Sequence, residues 1–85
     1  MRLTAGASRD LERVPESVAF AALERGEKLA DNPFRLGKAL RLDHAGKWST
    51  RVGQAYRMLY VIDPDQRRVT IIALALRSDV YRRRG

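Results

Sequence analysis

Residues 47–63, KWSTRVGQAYRMLYVID, read as two β-strands around a tight turn. Arg51 and Arg57 flank that turn. If the loop is Gly53-Gln54, Val52 pairs with Ala55, Arg51 with Tyr56 and Thr50 with Arg57. The arginines then fall on opposite faces. If Ala55 joins the loop, Val52 pairs with Tyr56 and Arg51 stands directly opposite Arg57. Both loop lengths are common and glycine suits either. A slip of one residue moves every side chain to the other face. Like charges opposed across a ladder repel, so the second register does nothing for the fold. A polyanion held between the two arginines would give it a purpose.

The strands continue beyond this hairpin. DPDQ, residues 63–66, is a turn with Pro64 at its second position. RRVTIIALALR, residues 67–77, follows and is nearly continuous in apolar residues from Val69 to Leu76. That run predicts a strand buried on both faces. Upstream, PFRLGKALRLDHAG (33–46) reads as a basic loop with two glycines. Before it, Val18, Ala19, Ala22, Leu23, Gly26, Leu29 and Ala30 recur at helical spacing. They predict a helix from Glu16 to Asp31, with Pro15 at its first turn and Asn32-Pro33 as its stop. Gly26 within it predicts close approach of another backbone. SRDLERV (8–14) predicts a shorter helix capped by Ser8, and MRLT at the start reads as a short strand. Helices followed by strands argue a single α+β domain over 1–85. Its form is an N-terminal helical hairpin packed on a small antiparallel sheet, with the other sheet face, or the groove beside it, left for function.

The chain is basic, with a net charge of +7 over 85 residues. Residues 1–32 carry five basic and six acidic side chains, a net of −1. Residues 33–85 carry twelve basic and four acidic, a net of +8. No lysine follows Lys47, yet eight arginines do. Arginine's planar fork suits phosphate and carboxylate, so an anionic partner is expected. There is no cysteine, which excludes disulfides and thiolate zinc sites and fits a reducing cytoplasm. The single histidine, His44, cannot build a metal cluster alone and reads as incidental in a polar loop. No apolar run approaches the ~20 residues that span a bilayer, and no secretory leader opens the chain. Trp48, Tyr56 and Tyr60 read as packing residues. For Arg57 a scaffold pairing with Asp10 or Glu12 stands beside the functional reading.

NPFRLGKALRLDHAGKWSTRVGQAYRMLYVID, followed by VTIIALALRSDVYRR, resembles the RelE/ParE superfamily of bacterial toxins from type II toxin–antitoxin systems, and the RelE type in particular. The likeness runs from the RDLERVP helix through the NP stop, the LGKAL loop and the RVG…YR hairpin to the closing DVYR. It implies the same fold, a helical hairpin on a small antiparallel sheet. It also implies a ribosome-dependent, metal-independent mRNA endoribonuclease without cofactor, in which the 2′-hydroxyl attacks the neighbouring phosphodiester. By position the resemblance marks Arg57 as the stabiliser of transition-state charge. It marks Arg77 and Arg51 as accompanying cations and Tyr81 as the tyrosine of the C-terminal segment. Lys47 is a candidate base or phosphate contact. Lys38 and Arg41 are candidate ribosomal RNA contacts, and Arg82 and Arg83 add salt-dependent attraction to phosphates. The partners implied are the ribosome, mRNA and a cognate RelB-like antitoxin in a hetero-oligomeric complex, with no membrane.

Three departures keep other functions open. Two residues, Gln54 and Ala55, separate RVG from YR where the family pattern has one. Ala75 and Leu76 precede Arg77 where a polar or basic residue is usual. Trp48, Ser49 and Thr50 stand where lysine or arginine is common. A ParE-like inhibitor of DNA gyrase is therefore a second reading. A non-enzymatic module binding an antitoxin or a nucleic acid is a third.

Overall fold

Thr4 starts the helical part of the chain, because its hydroxyl accepts the Ala7 N–H (3.1 Å) that the first helical turn leaves unpaired. The expected cap, Ser8, lies inside the helix instead, and its own N–H goes to the Thr4 carbonyl (3.0 Å). The structure, a computed structural model, describes residues 1–82. In chain order it has β1 (Arg2–Leu3), α1 (Ala5–Arg13), α2 (Glu16–Asp31), β2 (Lys38–Ala39), β3 (Trp48–Val52), β4 (Tyr56–Asp63) and β5 (Arg68–Leu76). Two short 3-10 turns, Leu42–His44 and Val80–Arg82, complete it. Pro15 occupies the cap position of α2, one residue before the first turn.

The five strands form one sheet in the order β1-β5-β4-β3-β2. All neighbours are antiparallel except β1 and β5, which run parallel. The segment 33–46 is thus not all loop, since it contributes the edge strand β2 and a helical turn. Beyond Leu3 no strand among the described residues pairs with the β1 side of β5, and α1 covers that edge. There the buried carboxylate of Asp10 accepts the Leu74 N–H at 2.9 Å. Asp10 is therefore committed to the scaffold, and the bond found for Arg57 is to a hydroxyl.

Both helices lie on one face of the sheet. Ala7, Ala22 and Leu29 pack there against Val52, Met58, Tyr60, Val69, Ile71 and Leu74. Gly26 is needed on this side, but the group that crowds it is the Met1 side chain and not a backbone. The opposite face buries a second, smaller cluster of Leu59, Ile72, Ala73, Ala75 and Val80. The sheet is therefore apolar on both faces along β5, as its sequence predicts. Among the described residues no helix is long and apolar enough to cross a membrane.

Tyr60 anchors the loop to the helix face. Its ring is fully buried and its hydroxyl donates to the Pro33 carbonyl at 2.7 Å. Gly37 passes so close to that hydroxyl that any Cβ would collide with it. Arg25 ties the same region together, donating to Thr50 Oγ1 and to the Leu36 carbonyl, each at 2.9 Å. Burial pushes the Tyr60 phenol up to about 12, against a smaller downward pull from Arg25. On unfolding the phenol returns to its ordinary value near 10. Between those values the folded chain holds the proton and the unfolded chain releases it, so stability falls as pH rises through that window. The melting temperature should drop more steeply between pH 10 and 12 than it does in Tyr60→Phe. Equal slopes would show that this phenol is not the group responsible.

Candidate functional site

The hairpin takes the three-residue loop. Gly53 adopts φ +61°, in the left-handed region that glycine enters freely. Val52 pairs with Tyr56, and Arg51 stands directly opposite Arg57. The two arginines therefore share the face away from the helices. Ser49, directly across from Leu59, lies on that face too. So does Lys38, directly across from Ser49 on β2. Lys47 lies just before β3, its carbonyl accepting the Leu40 N–H at 2.9 Å.

A short chain of contacts crosses this face. Arg57 Nη1 donates to Ser49 Oγ at 2.9 Å. The same Oγ lies 3.4 Å from the Tyr81 hydroxyl. Because Oγ accepts from Arg57, its own proton is free to point at the tyrosine oxygen. Ser49 is buried, Arg57 is half-buried, and Arg51 and Tyr81 are exposed. The partner of Arg57 is thus a neutral hydroxyl, which orients the guanidinium without neutralising it. Tyr81 reaches this position because the preceding residue, Val80, is fully buried against Leu59 and the β5 alanines. The Tyr81 ring also meets His44, with ring centres 5.8 Å apart and planes tilted 55°.

Two cations stand slightly apart. Arg77 lies just past β5 and is exposed, its backbone N–H bonded to the Ala55 carbonyl at 2.8 Å. Arg41 is exposed at the start of the 3-10 turn that carries His44. Directly across from Arg57 on β5 stands Ala75, so that strand supplies no cation at that level. Arg82 belongs to the closing turn, and Arg83 lies outside the described residues.

No family model matches the chain. It is 49% identical over 81 residues to Toxin RelE of Mycobacterium tuberculosis, covering 94% of this chain and 82% of that protein. The chain belongs to the RelE toxin family. Toxin RelG of the same organism is 40% identical over 84 residues, covering 98% of this chain and 95% of that protein. The RelBE2 toxin–antitoxin complex of M. tuberculosis contains a similar chain, with a TM-score of 0.83 and 39% identity. That match covers 89% of this chain and 94% of the other. The protein is a RelE-type toxin of a toxin–antitoxin system.

Two residues of this toxin's face, Ser49 and His44, escape a reading of sequence alone, and a third, Lys38, is expected there as an RNA contact but from a loop. Ser49 looked like a gap in a basic pattern, yet it joins Arg57 to Tyr81. Lys38, expected in a loop, sits on a strand and faces the same side as Ser49. For Ser49 the alternation Ser49, Arg51 was an available signal, because the two must share a face once 48–52 is a strand. His44, read as incidental, touches Tyr81 from 37 residues away in the chain. No local pattern carries that contact.

Proposed function

We propose that this RelE-type toxin is an endoribonuclease that cleaves mRNA on the ribosome and so stops translation. The observation that carries the reading is the line Arg51, Arg57, Ser49, Tyr81 on the helix-free face, with the Arg57 guanidinium held by a serine hydroxyl at 2.9 Å. Opposed arginines repel, which leaves an anion between them as their purpose. A phosphodiester is such an anion, and a guanidinium fork matches its oxygens.

In this reading the O2′ of one nucleotide attacks the adjacent phosphorus. The O2′–P bond forms, the P–O5′ bond breaks, the departing O5′ takes a proton from water, and a 2′,3′-cyclic phosphate remains. Arg57 meets the charge that builds on the phosphorane oxygens, where a preorganised donor acts most strongly. Arg51 holds a flanking phosphate. Tyr81 orients the nucleotide through its hydroxyl or ring. Lys47 is the candidate acceptor of the O2′ proton. Lys38, Arg41 and the tail arginines extend the basic surface toward ribosomal RNA. Arg77 is a peripheral phosphate contact.

The toxin acts in the cytoplasm and is neutralised by a RelB-like antitoxin in a hetero-oligomeric complex. The likeness to a chain of the RelBE2 complex supports that partner. So do Phe20, Leu23 and Phe34, large apolar side chains left exposed on a small protein.

The test uses purified toxin, programmed ribosomes and end-labelled mRNA. Cleavage confined to the A-site codon and dependent on the ribosome is the expected result. Uncut mRNA from a folded protein would sink the nuclease reading. Inhibition of DNA gyrase is the second reading, favoured by Ala75 opposite Arg57. Loss of gyrase supercoiling beside uncut mRNA would select it.

A further inference from the structure

His44 plays no part in the mechanism above, yet its surroundings are unusual in three respects. Its Nδ1 is buried and has no hydrogen-bond partner among the described residues. Buried polar atoms are almost always paired, so an orphan calls for a reason. The turn that carries it begins with Leu42 at φ +56°, a left-handed conformation that a branched side chain adopts only when its surroundings impose it. The imidazole also lies against Tyr81, at one end of the contact chain through Ser49 to Arg57.

The backbone holds the turn firmly. The His44 N–H donates to the Arg41 carbonyl at 3.1 Å, and the His44 carbonyl accepts the Lys47 N–H at 3.0 Å. That second bond ties His44 to the start of β3, two residues ahead of Ser49. The side chain is less constrained, because the outer torsion of histidine is broad and roughly two-fold. A half-turn exchanges Nδ1 with Cδ2 and needs no movement of the backbone. The residue as a whole is half-buried.

We propose that His44 is a substrate-binding residue of the RNA site, its Nδ1 hydrogen-bonding a ribose or phosphate oxygen of the strand that Arg57 and Tyr81 engage. This rests on the nuclease reading. The ligand class follows from the neighbours, a guanidinium and a phenol on the same face. Its sugar-phosphate oxygens supply the partner that the folded chain withholds from Nδ1.

The assay is single-turnover cleavage on programmed ribosomes, comparing wild type with His44→Phe and His44→Asn. Phenylalanine keeps the ring against Tyr81 and deletes both nitrogens. Asparagine gives up the ring and keeps a polar atom near the place of Nδ1. His44→Phe should slow cleavage about tenfold, the loss of one hydrogen bond. His44→Asn should stay within about threefold of wild type, as a retained hydrogen bond implies. A role confined to packing gives the reverse order. Wild-type rates in His44→Phe, or an asparagine variant no better than phenylalanine, overturn the assignment. Circular dichroism checks that each variant folds.

A measurement on the unmodified protein stands beside this one. His44 is the chain's only histidine, so its imidazole signals need no assignment to a residue, and their couplings to the ring protons separate Nδ1 from Nε2. A ribotrinucleotide blocked by a 2′-deoxy at its middle position should shift the Nδ1 resonance, and an unmoved resonance overturns the contact. If wild type cleaves no mRNA, the nuclease reading fails. A shifted resonance then still upholds the His44 contact, and an unmoved one ends both.

Discussion

Replacing Arg57 by alanine should reduce mRNA cleavage by about 10²–10³-fold, the range seen when one donor to developing charge is removed. The fold should survive. Among the described residues the Arg57 side chain hydrogen-bonds Ser49, and Arg57 stands opposite Arg51. Losing a charge-assisted bond destabilises by about 1.5–3 kcal/mol at most, and less for a half-buried group. Relief of the opposed charges returns about 0.2–1 kcal/mol. The relief offsets only part of the loss, so the protein should stay folded with its melting temperature lowered by several degrees. Arg57→Lys separates charge from shape. Lysine keeps the positive charge but cannot offer two parallel N–H donors, so its rate should fall between wild type and alanine. Single-turnover cleavage on programmed ribosomes, beside thermal melts, decides the matter. A folded Arg57→Ala protein that cuts at the wild-type rate would remove Arg57 from the chemistry.

The residues that position Arg57 show how much was legible before the structure. The apolar run Val69–Leu76 and the helical stripe from Val18 to Ala30 each bury a face through local periodicity. That periodicity is written in the sequence, so β5 and α2 fall where expected. The hairpin was legible except for its register. Gly53 suits a loop of two residues or three, and the choice is made by what each face must bury. Only the longer loop sends Val52, Tyr56 and Met58 to the helices and Leu59 to the second cluster. That is a tertiary criterion, and it also puts Arg51 opposite Arg57. The start of α1 was misplaced because Thr4 and Ser8 are both competent caps. Thr4 prevails where β1 hands the chain over, its backbone N–H already bonded to Ile71. Asp10, considered as a partner for Arg57, instead accepts the Leu74 N–H at the edge of β5. The contacts His44–Tyr81 and Ser49–Tyr81 join segments 37 and 32 residues apart, beyond the reach of any periodicity.

Val80→Asp should cost nearly as much activity as the loss of Arg57, though the residue is apolar and touches no polar group of the site. Val80 is fully buried and packs with Leu59, Ile72, Ala73 and Ala75 on the sheet face away from the helices. It fastens the turn Val80–Arg82 to that face, and Tyr81 stands within this turn. The tyrosine is 39% exposed, and its other contacts are a hydroxyl at 3.4 Å and the His44 ring. Neither holds the turn on its own. An aspartate at position 80 must either bury an unpaired carboxylate or leave the face, and leaving costs far less. The turn should therefore detach while the larger cluster around Leu29, Met58 and Tyr60 stays intact. Burying one valine contributes roughly 1.5–3 kcal/mol, so the melting temperature should fall while cooperative unfolding persists. Tyr81→Phe then calibrates the loss, since it removes only the hydroxyl and keeps the turn docked. Cleavage by Val80→Asp should lie at or below that of Tyr81→Phe. Val80→Ile, which keeps an apolar anchor, should lie near wild type. If Val80→Asp cut mRNA as well as wild type while Tyr81→Phe did not, the docked turn would be dispensable, and Tyr81 would reach the RNA from another position.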